Sequence, residues 1–131
     1  MDNSKYPILI ADDDTIIQKM LVRILTKSGY EVSIAKNGKD ALQKLSESFH
    51  PIVITDWDMP EMNGIELCKQ IRQKSFQGYV YILFLSSNDS QKDIINGLKA
   101  GADEYLSKPI NPLELITRIS TAKRIINLER S

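Results

Sequence analysis

Short apolar runs alternate along the chain with longer segments whose apolar residues recur every three or four positions. The first run, residues 8–11, predicts a strand and stops abruptly at Asp12, Asp13 and Asp14. The next segment carries Ile16, Ile17, Met20, Leu21, Ile24 and Leu25, the spacing of one helix face. Asp14 stands where its N-cap belongs and Gly29 where it should stop. Residues 30–35 alternate and predict a second strand, after which Asn37-Gly38 turns into a helix carrying Ala41, Leu42 and Leu45. Residues 51–55 predict a third strand ending at Asp56. A loop with Pro60 and Gly64 leads to a helix carrying Ile65, Leu67, Cys68 and Ile71. Residues 79–85 are apolar throughout and predict a fourth strand. Ser90 is expected to cap a helix carrying Ile94, Ile95 and Leu98, with Gly101 as its stop. Residues 103–106 predict a short fifth strand. Asn111 as N-cap and Pro112 at the first helical position open the last helix, with Leu113, Ile116, Ile119, Ala122 and Ile126.

Alternating strand and helix implies a parallel sheet covered by helices on both faces, and strands buried on both faces read as continuous apolar runs, as most of these do. Right-handed crossovers leave few topologies. The expected fold class is α/β, a flavodoxin-like (βα)5 doubly wound sheet with strand order 2-1-3-4-5. At 131 residues the chain suits one domain, with a core over about residues 6–124.

Composition narrows the partners. With 17 basic and 17 acidic residues there is neither the basic excess nor the basic stripe of a nucleic-acid binder, so direct nucleic-acid binding is not expected. Cys68 is the single cysteine, which excludes an internal disulfide and fits a reducing compartment. Neither a signal peptide nor a membrane-spanning run is visible, and a soluble cytoplasmic location is expected.

The fold locates a site before any motif is read. In open α/β sheets ligands bind beyond the carboxyl ends of the strands where the order reverses, here between strands one and three. Asp12 and Asp13 end strand one, and Asp56 ends strand three. Taken singly, an acidic residue at a loop start is ordinary, and Asp14 reads as a cap alone. The convergent set is different: clustered carboxylates need a cation or a proton, and hard oxygen donors suit Mg²⁺. There is no cysteine or histidine cluster for zinc, and His50, the single histidine, is expected at the surface away from the site. Ser86 follows strand four and Lys108 follows strand five, at the same edge. A hydroxyl, an ammonium, a carboxylate nucleophile and a Mg²⁺ make a phosphoryl-transfer site.

With these residues in place, the chain resembles the response-regulator receiver domains of two-component signalling, chemotaxis regulators among them. The resemblance covers Tyr6 to about Glu129. It is carried by Ile8 to Asp14, by Asp56-Trp57-Asp58-Met59-Pro60-Glu61-Met62-Asn63-Gly64, by Phe84-Leu85-Ser86-Ser87, and by Gly101-Ala102-Asp103-Glu104-Tyr105-Leu106-Ser107-Lys108-Pro109. It implies that Asp56 accepts a phosphoryl group from a histidine kinase or phosphotransfer protein. Asp13, Asp56 and the backbone carbonyl of Asp58 would ligate Mg²⁺, with Asp12 acting through a water on the ion. Lys108 would contact the phosphoryl group, Ser86 would donate to it, and Tyr105 would be the aromatic switch that moves with Ser86. The Lys108–Pro109 bond would be cis. Asp58 and Asn88 would flank the hydrolytic water and tune the lifetime of the signal. The domain would catalyse only its own phosphorylation and slow dephosphorylation. Serine at position 86 and serine at position 87 depart from the commoner threonine and alanine. Trp57 is expected to be exposed near the site and Cys68 to face the core.

A rival reading is a haloacid-dehalogenase-like phosphatase, since Asp56-Trp57-Asp58 fits its Asp-x-Asp nucleophile motif. Its acidic metal pair would come late in the chain, whereas Asp12 and Asp13 come first. A flavin-binding electron carrier would need a phosphate loop where Asp12 to Asp14 stand. A degenerate receiver acting only as an interaction module would lack this full residue set. The last helix is expected to overhang the sheet, with Ile125, Ile126 and Leu128 apolar on the overhang. Residues 125–131 are therefore read as a helical linker to an output domain, diguanylate cyclase or other, or as a homodimer contact, with a frayed tail as the alternative.

Overall fold

The computed structural model describes residues 3–87 and 91–130. Five strands, β1 (Ile8–Ala11), β2 (Val32–Ala35), β3 (Ile52–Asp56), β4 (Tyr81–Ser86) and β5 (Glu104–Ser107), alternate with five helices. These are α1 (Thr15–Lys27), α2 (Gly38–Glu47), α3 (Gly64–Gln73), α4 (Gln91–Lys99) and α5 (Pro112–Arg130). All strand pairs are parallel and the order is 2-1-3-4-5, as the alternation predicts. Successive residues of each strand serve opposite layers. Ile8 and Ile10 pack with Leu21, Leu25, Ile119 and Ile126 of α1 and α5. Leu9 and Ala11 pack with Ala41, Leu45, Leu67 and Cys68 of α2 and α3.

The expected caps hold. Asp14 accepts from Ile16 N at 2.9 Å, Asn37 from Asp40 N at 2.8 Å and Asn111 from Glu114 N at 3.1 Å. Each satisfies a backbone donor that its helix leaves open. Gly101, with φ of 114°, ends α4 in a conformation that side chains disfavour. The Ser90 cap falls outside the described residues.

Several expectations need correction. β2 and β4 begin two residues later than the alternation suggests; ahead of β2 the Tyr30 N–H is taken by Leu25 O at 3.1 Å, at the end of α1. His50 is buried rather than superficial, 5% exposed. It is tolerated inside because both ring nitrogens are met, by Ser48 O at 2.8 Å and Ser33 Oγ at 3.1 Å. Burial holds its pKa below the usual histidine value, against the Ser48 bond that raises it.

The last helix is also better anchored than expected. Ile126 is 1% exposed and belongs to the core, so the core extends past residue 124. The N-terminal segment covers this end: Tyr6 OH donates to Asn127 Oδ1 at 2.5 Å, and Lys123 Nζ donates to Asn3 Oδ1 at 2.6 Å. Ile125 and Leu128 do stay exposed, as does Leu113 in the first turn at 76%. Among the described residues no helix is long and apolar enough to cross a membrane.

Candidate functional site

The parallel register brings the carboxyl ends of β1 and β3 side by side, Ala11 opposite Thr55, and the chain leaves each strand through an aspartate. Asp12, Asp13 and Asp56 each offer an oxygen within 4.8 Å of the others. β4 and β5 close the same edge, with Asp56 paired to Leu85 and Ser86 to Ser107. Lys108 follows directly. Its backbone N–H donates to Ser86 O at 2.9 Å and its ammonium donates to Asp56 Oδ1 at 3.1 Å.

The charges are only partly balanced. Asp56 Oδ1 also accepts from Trp57 N at 2.9 Å, so both bonds fall on one oxygen and Oδ2 has none among the described residues. Asp12 is fully buried; its Oδ1 accepts from Asp14 N at 2.8 Å, but Oδ2 has no donor and lies 3.8 Å from Lys108 Nζ. Burial pushes the Asp12 carboxyl up to about 6, and the Asp56 charge adds to the rise, while the Asp14 N–H and Lys108 oppose it. Burial likewise raises Asp56, against the Lys108 hydrogen bond and charge. For Lys108, burial alone would lower the pKa; the Asp56 hydrogen bond and the charges of Asp56, Asp12 and Asp14 outweigh it and raise the pKa. One ammonium therefore faces the Asp12, Asp13 and Asp56 cluster. An all-oxygen donor set with a buried carboxylate oxygen left orphaned fits a hard divalent cation.

The other expected residues fall as follows. Ser86 is buried at the end of β4. Its carbonyl lies 3.5 Å from Tyr105 OH, and Tyr105 is half-buried on β5, so Ser86, Tyr105 and Lys108 are assembled at one corner. The Lys108–Pro109 bond is cis. Asp58 is exposed in the loop after β3, and Asn88 lies outside the described residues. Trp57 is half-buried rather than exposed, because its ring packs on Phe84 with centroids 5.4 Å apart. Cys68 faces the core as expected, and burial pushes its thiol up to about 11.

Some contributors were not anticipated. Gln18 Nε2 donates to Asp12 O at 2.5 Å from the first turn of α1. Gly64 lets α3 begin against the site backbone, since a Cβ there would lie 2.3 Å from Asp56 O. Asn37 Nδ2 donates to Glu61 Oε2 at 2.8 Å, tying the start of α2 to the loop after Asp56. Glycine at position 64 carries a local signal; a contact across 24 residues carries none in a single sequence.

Comparison with known proteins agrees with this geometry. The family described as Response regulator receiver domain matches residues 8–120. A transcriptional regulatory protein of Bacillus subtilis, YrkP, is 45% identical over 114 residues, which are 87% of this chain and 48% of that protein. The alkaline phosphatase synthesis transcriptional regulatory protein PhoP of the same organism is 37% identical over 117 residues, 89% of this chain and 48% of PhoP. The chain thus spans about half the length of these relatives. Among solved structures, the chemotaxis protein CheY4 of Vibrio cholerae superposes with a TM-score of 0.84 at 32% identity, covering 89% of this chain and 98% of CheY4. A probable two-component response regulator/GGDEF domain protein superposes with a TM-score of 0.88 at 27% identity, covering 95% of this chain and 52% of its own. None of these relatives supports the phosphatase alternative. On the family match over most of its length and on these relatives, the chain belongs to the response-regulator receiver domains.

Proposed function

We propose that this receiver accepts a phosphoryl group on Asp56 in a Mg²⁺-dependent step. The observation that carries the reading is Asp56 itself. It is a half-buried carboxylate with one oxygen held by Lys108 and Trp57 N and the other open, set against a buried aspartate with an orphan oxygen. Asp13, Asp56 and the Asp58 carbonyl would hold the ion, with Asp12 completing the acidic wall. When bound, Mg²⁺ would supply positive charge against the acidic cluster and against the charge that develops on the transferring group. An oxygen of Asp56 bonds to phosphorus while the phosphorus–nitrogen bond of a donor phosphohistidine breaks. The product is an acyl phosphate, and the departing imidazole takes a proton from solvent. Lys108, already charged and aimed at Asp56, follows the phosphoryl oxygens.

Ser86 and Tyr105 form the switch of this reading. The Ser86 hydroxyl interacts differently with free and phosphorylated Asp56, and that difference is what shifts the α4–β5–α5 face. Asp58, exposed two residues after Asp56, and Asn88 set how readily water reaches the acyl phosphate. The chain acts as a signalling acceptor that turns over only its own phosphoryl group, in the cytoplasm, with a histidine kinase or phosphotransfer protein as donor. Its output passes through α5, whose exposed Ile125 and Leu128 suit a further domain or a second copy. DNA-binding regulators such as MtrA and the GGDEF-domain protein supply two models for that output. Acetyl phosphate tests the reading. With Mg²⁺ the protein should gain one phosphoryl mass; with chelator it should gain none. Labelling that ignores Mg²⁺ counts against the proposed chemistry.

A further inference from the structure

The loop between Asp56 and α3 leaves the acidic cluster and returns to it, and its shape is held from outside the site. At its near end Gly64 N donates to Trp57 O at 2.9 Å. At its far side Gly38 N, in the first turn of α2, donates to Met62 O at 3.3 Å. Between them Glu61 sits at φ of 68°, a left-handed conformation uncommon for a residue with a side chain. Such a conformation persists where surroundings over-determine it. Here the surrounding group is Asn37, almost fully buried at 7% exposure. Its Oδ1 accepts from Asp40 N at 2.8 Å and caps α2, while its Nδ2 donates to Glu61 Oε2 at 2.8 Å. One buried amide thus spends its acceptor on a helix and its donor on the loop.

We infer that Asn37 and Glu61 form a positioning clamp that presets the loop backbone for Mg²⁺. The inference rests on the reading of the site above and names residues that touch neither the ion nor the phosphoryl group. Mg²⁺ demands near-octahedral oxygen geometry at short distances. Asp12, Asp13 and Asp56 supply carboxylates from strand ends, which are rigid. Any backbone oxygen must come from the loop after Asp56, which has no ladder to hold it. The clamp supplies that rigidity. It also makes the start of α2 a second input to the site, because whatever moves Asn37 moves the loop.

The two roles of Asn37 can be separated. Asn37→Asp keeps a good N-cap acceptor but places a carboxylate against Glu61, so the cap survives and the clamp breaks. The double change Asn37→Asp with Glu61→Gln restores a hydrogen bond with donor and acceptor exchanged, and it restores the parent's net charge. Mg²⁺ affinity is read from the Mg²⁺ dependence of the melting temperature and from fluorescence of Trp57, the single tryptophan, beside Asp56. Asn37→Asp should weaken Mg²⁺ binding about tenfold, the usual scale for outer-shell partners, with the metal-free melting temperature near the parent's. The double variant should bind within about twofold of the parent, because residues in direct contact are coupled and the exchanged pair restores their hydrogen bond. The added charge of Asn37→Asp acting alone would tighten binding, so the sign separates geometry from charge. Unchanged or tighter binding in Asn37→Asp overturns the clamp, as does weak binding that the double variant fails to rescue. A parent that responds to Mg²⁺ by neither measure overturns the underlying reading and the clamp with it.

Discussion

At the amino-terminal end of the sheet, Asp103 accepts from Arg72 Nη2 at 2.8 Å, from Ile82 N at 2.8 Å and from the Tyr79 hydroxyl. At the carboxyl end, Asp12 is more deeply buried and yet keeps an oxygen with no donor. The first end reads as completed structure. Arg72 also donates to Gly101 O at 2.9 Å and Val80 O at 2.7 Å, so one guanidinium closes α3, β4 and the turn after α4. Burial and the Asp103 bond both raise the Tyr79 pKa, which keeps that hydroxyl a donor. The second end holds charge that the chain does not balance. The Asp103 carboxylate is spent on the fold, whereas Asp12 keeps an oxygen that no donor among the described residues meets.

Removing a charge should therefore have opposite signs at the two ends. Asp103→Ala strips the acceptor from Arg72, Tyr79 and Ile82 N, and should cost about 3 kcal/mol in urea unfolding. A loss no larger than that of a surface substitution would erase the contrast. Next in size, Ile126→Ala should cost about 2 kcal/mol, since the side chain is buried at this end. Leu128→Ala, at a residue 70% exposed, should stay within about 0.5 kcal/mol. Equal losses would mean that the end of α5 does not pack as described.

At the carboxyl end the expected change is smaller and reversed. Asp13→Asn removes a repelling neighbour of Asp12 and Asp56, and should stabilise the metal-free protein by about 1 kcal/mol. The same variant should lose the melting-temperature rise that Mg²⁺ gives the parent. Destabilisation of the metal-free variant would contradict a cluster held together under repulsion.

The smallest effect concerns His50. Its pKa is lowered in the fold from 6.5, so the neutral ring is the folded form. The stability it contributes is present above the unfolded value and is lost as pH falls from about 6.5 through the lower folded value. His50→Gln should flatten that part of the stability–pH curve, and an unchanged slope would remove His50 from the account.

Much of this was legible because the signals are local. The run from Ile8 to Ala11 ending in Asp12, and the run ending in Asp56, locate two strand ends, and topology brings them together. Lys108 and Ser86 follow by the same logic. What escaped was non-local. The burial of His50 depends on Ser33, 17 residues away, and that of Ile126 on an amino-terminal segment folding beneath α5. The Asn37–Glu61 pair joins two loops whose proximity no periodicity encodes. Trp57 follows a strand end and reads as exposed from sequence, whereas Phe84 and the bare backbone at Gly97 make a seat for its ring.

The most direct test is to find where the phosphoryl group goes. The protein is treated with acetyl phosphate and Mg²⁺, the acyl phosphate is reduced with borohydride, and the digested peptides are weighed. The reduced residue should be Asp56 alone, and Asp56→Asn, which keeps the shape but lacks the attacking carboxylate, should yield none. Reduction at Asp12, Asp13 or Asp58, or equal labelling of Asp56→Asn, would contradict the assignment of the site.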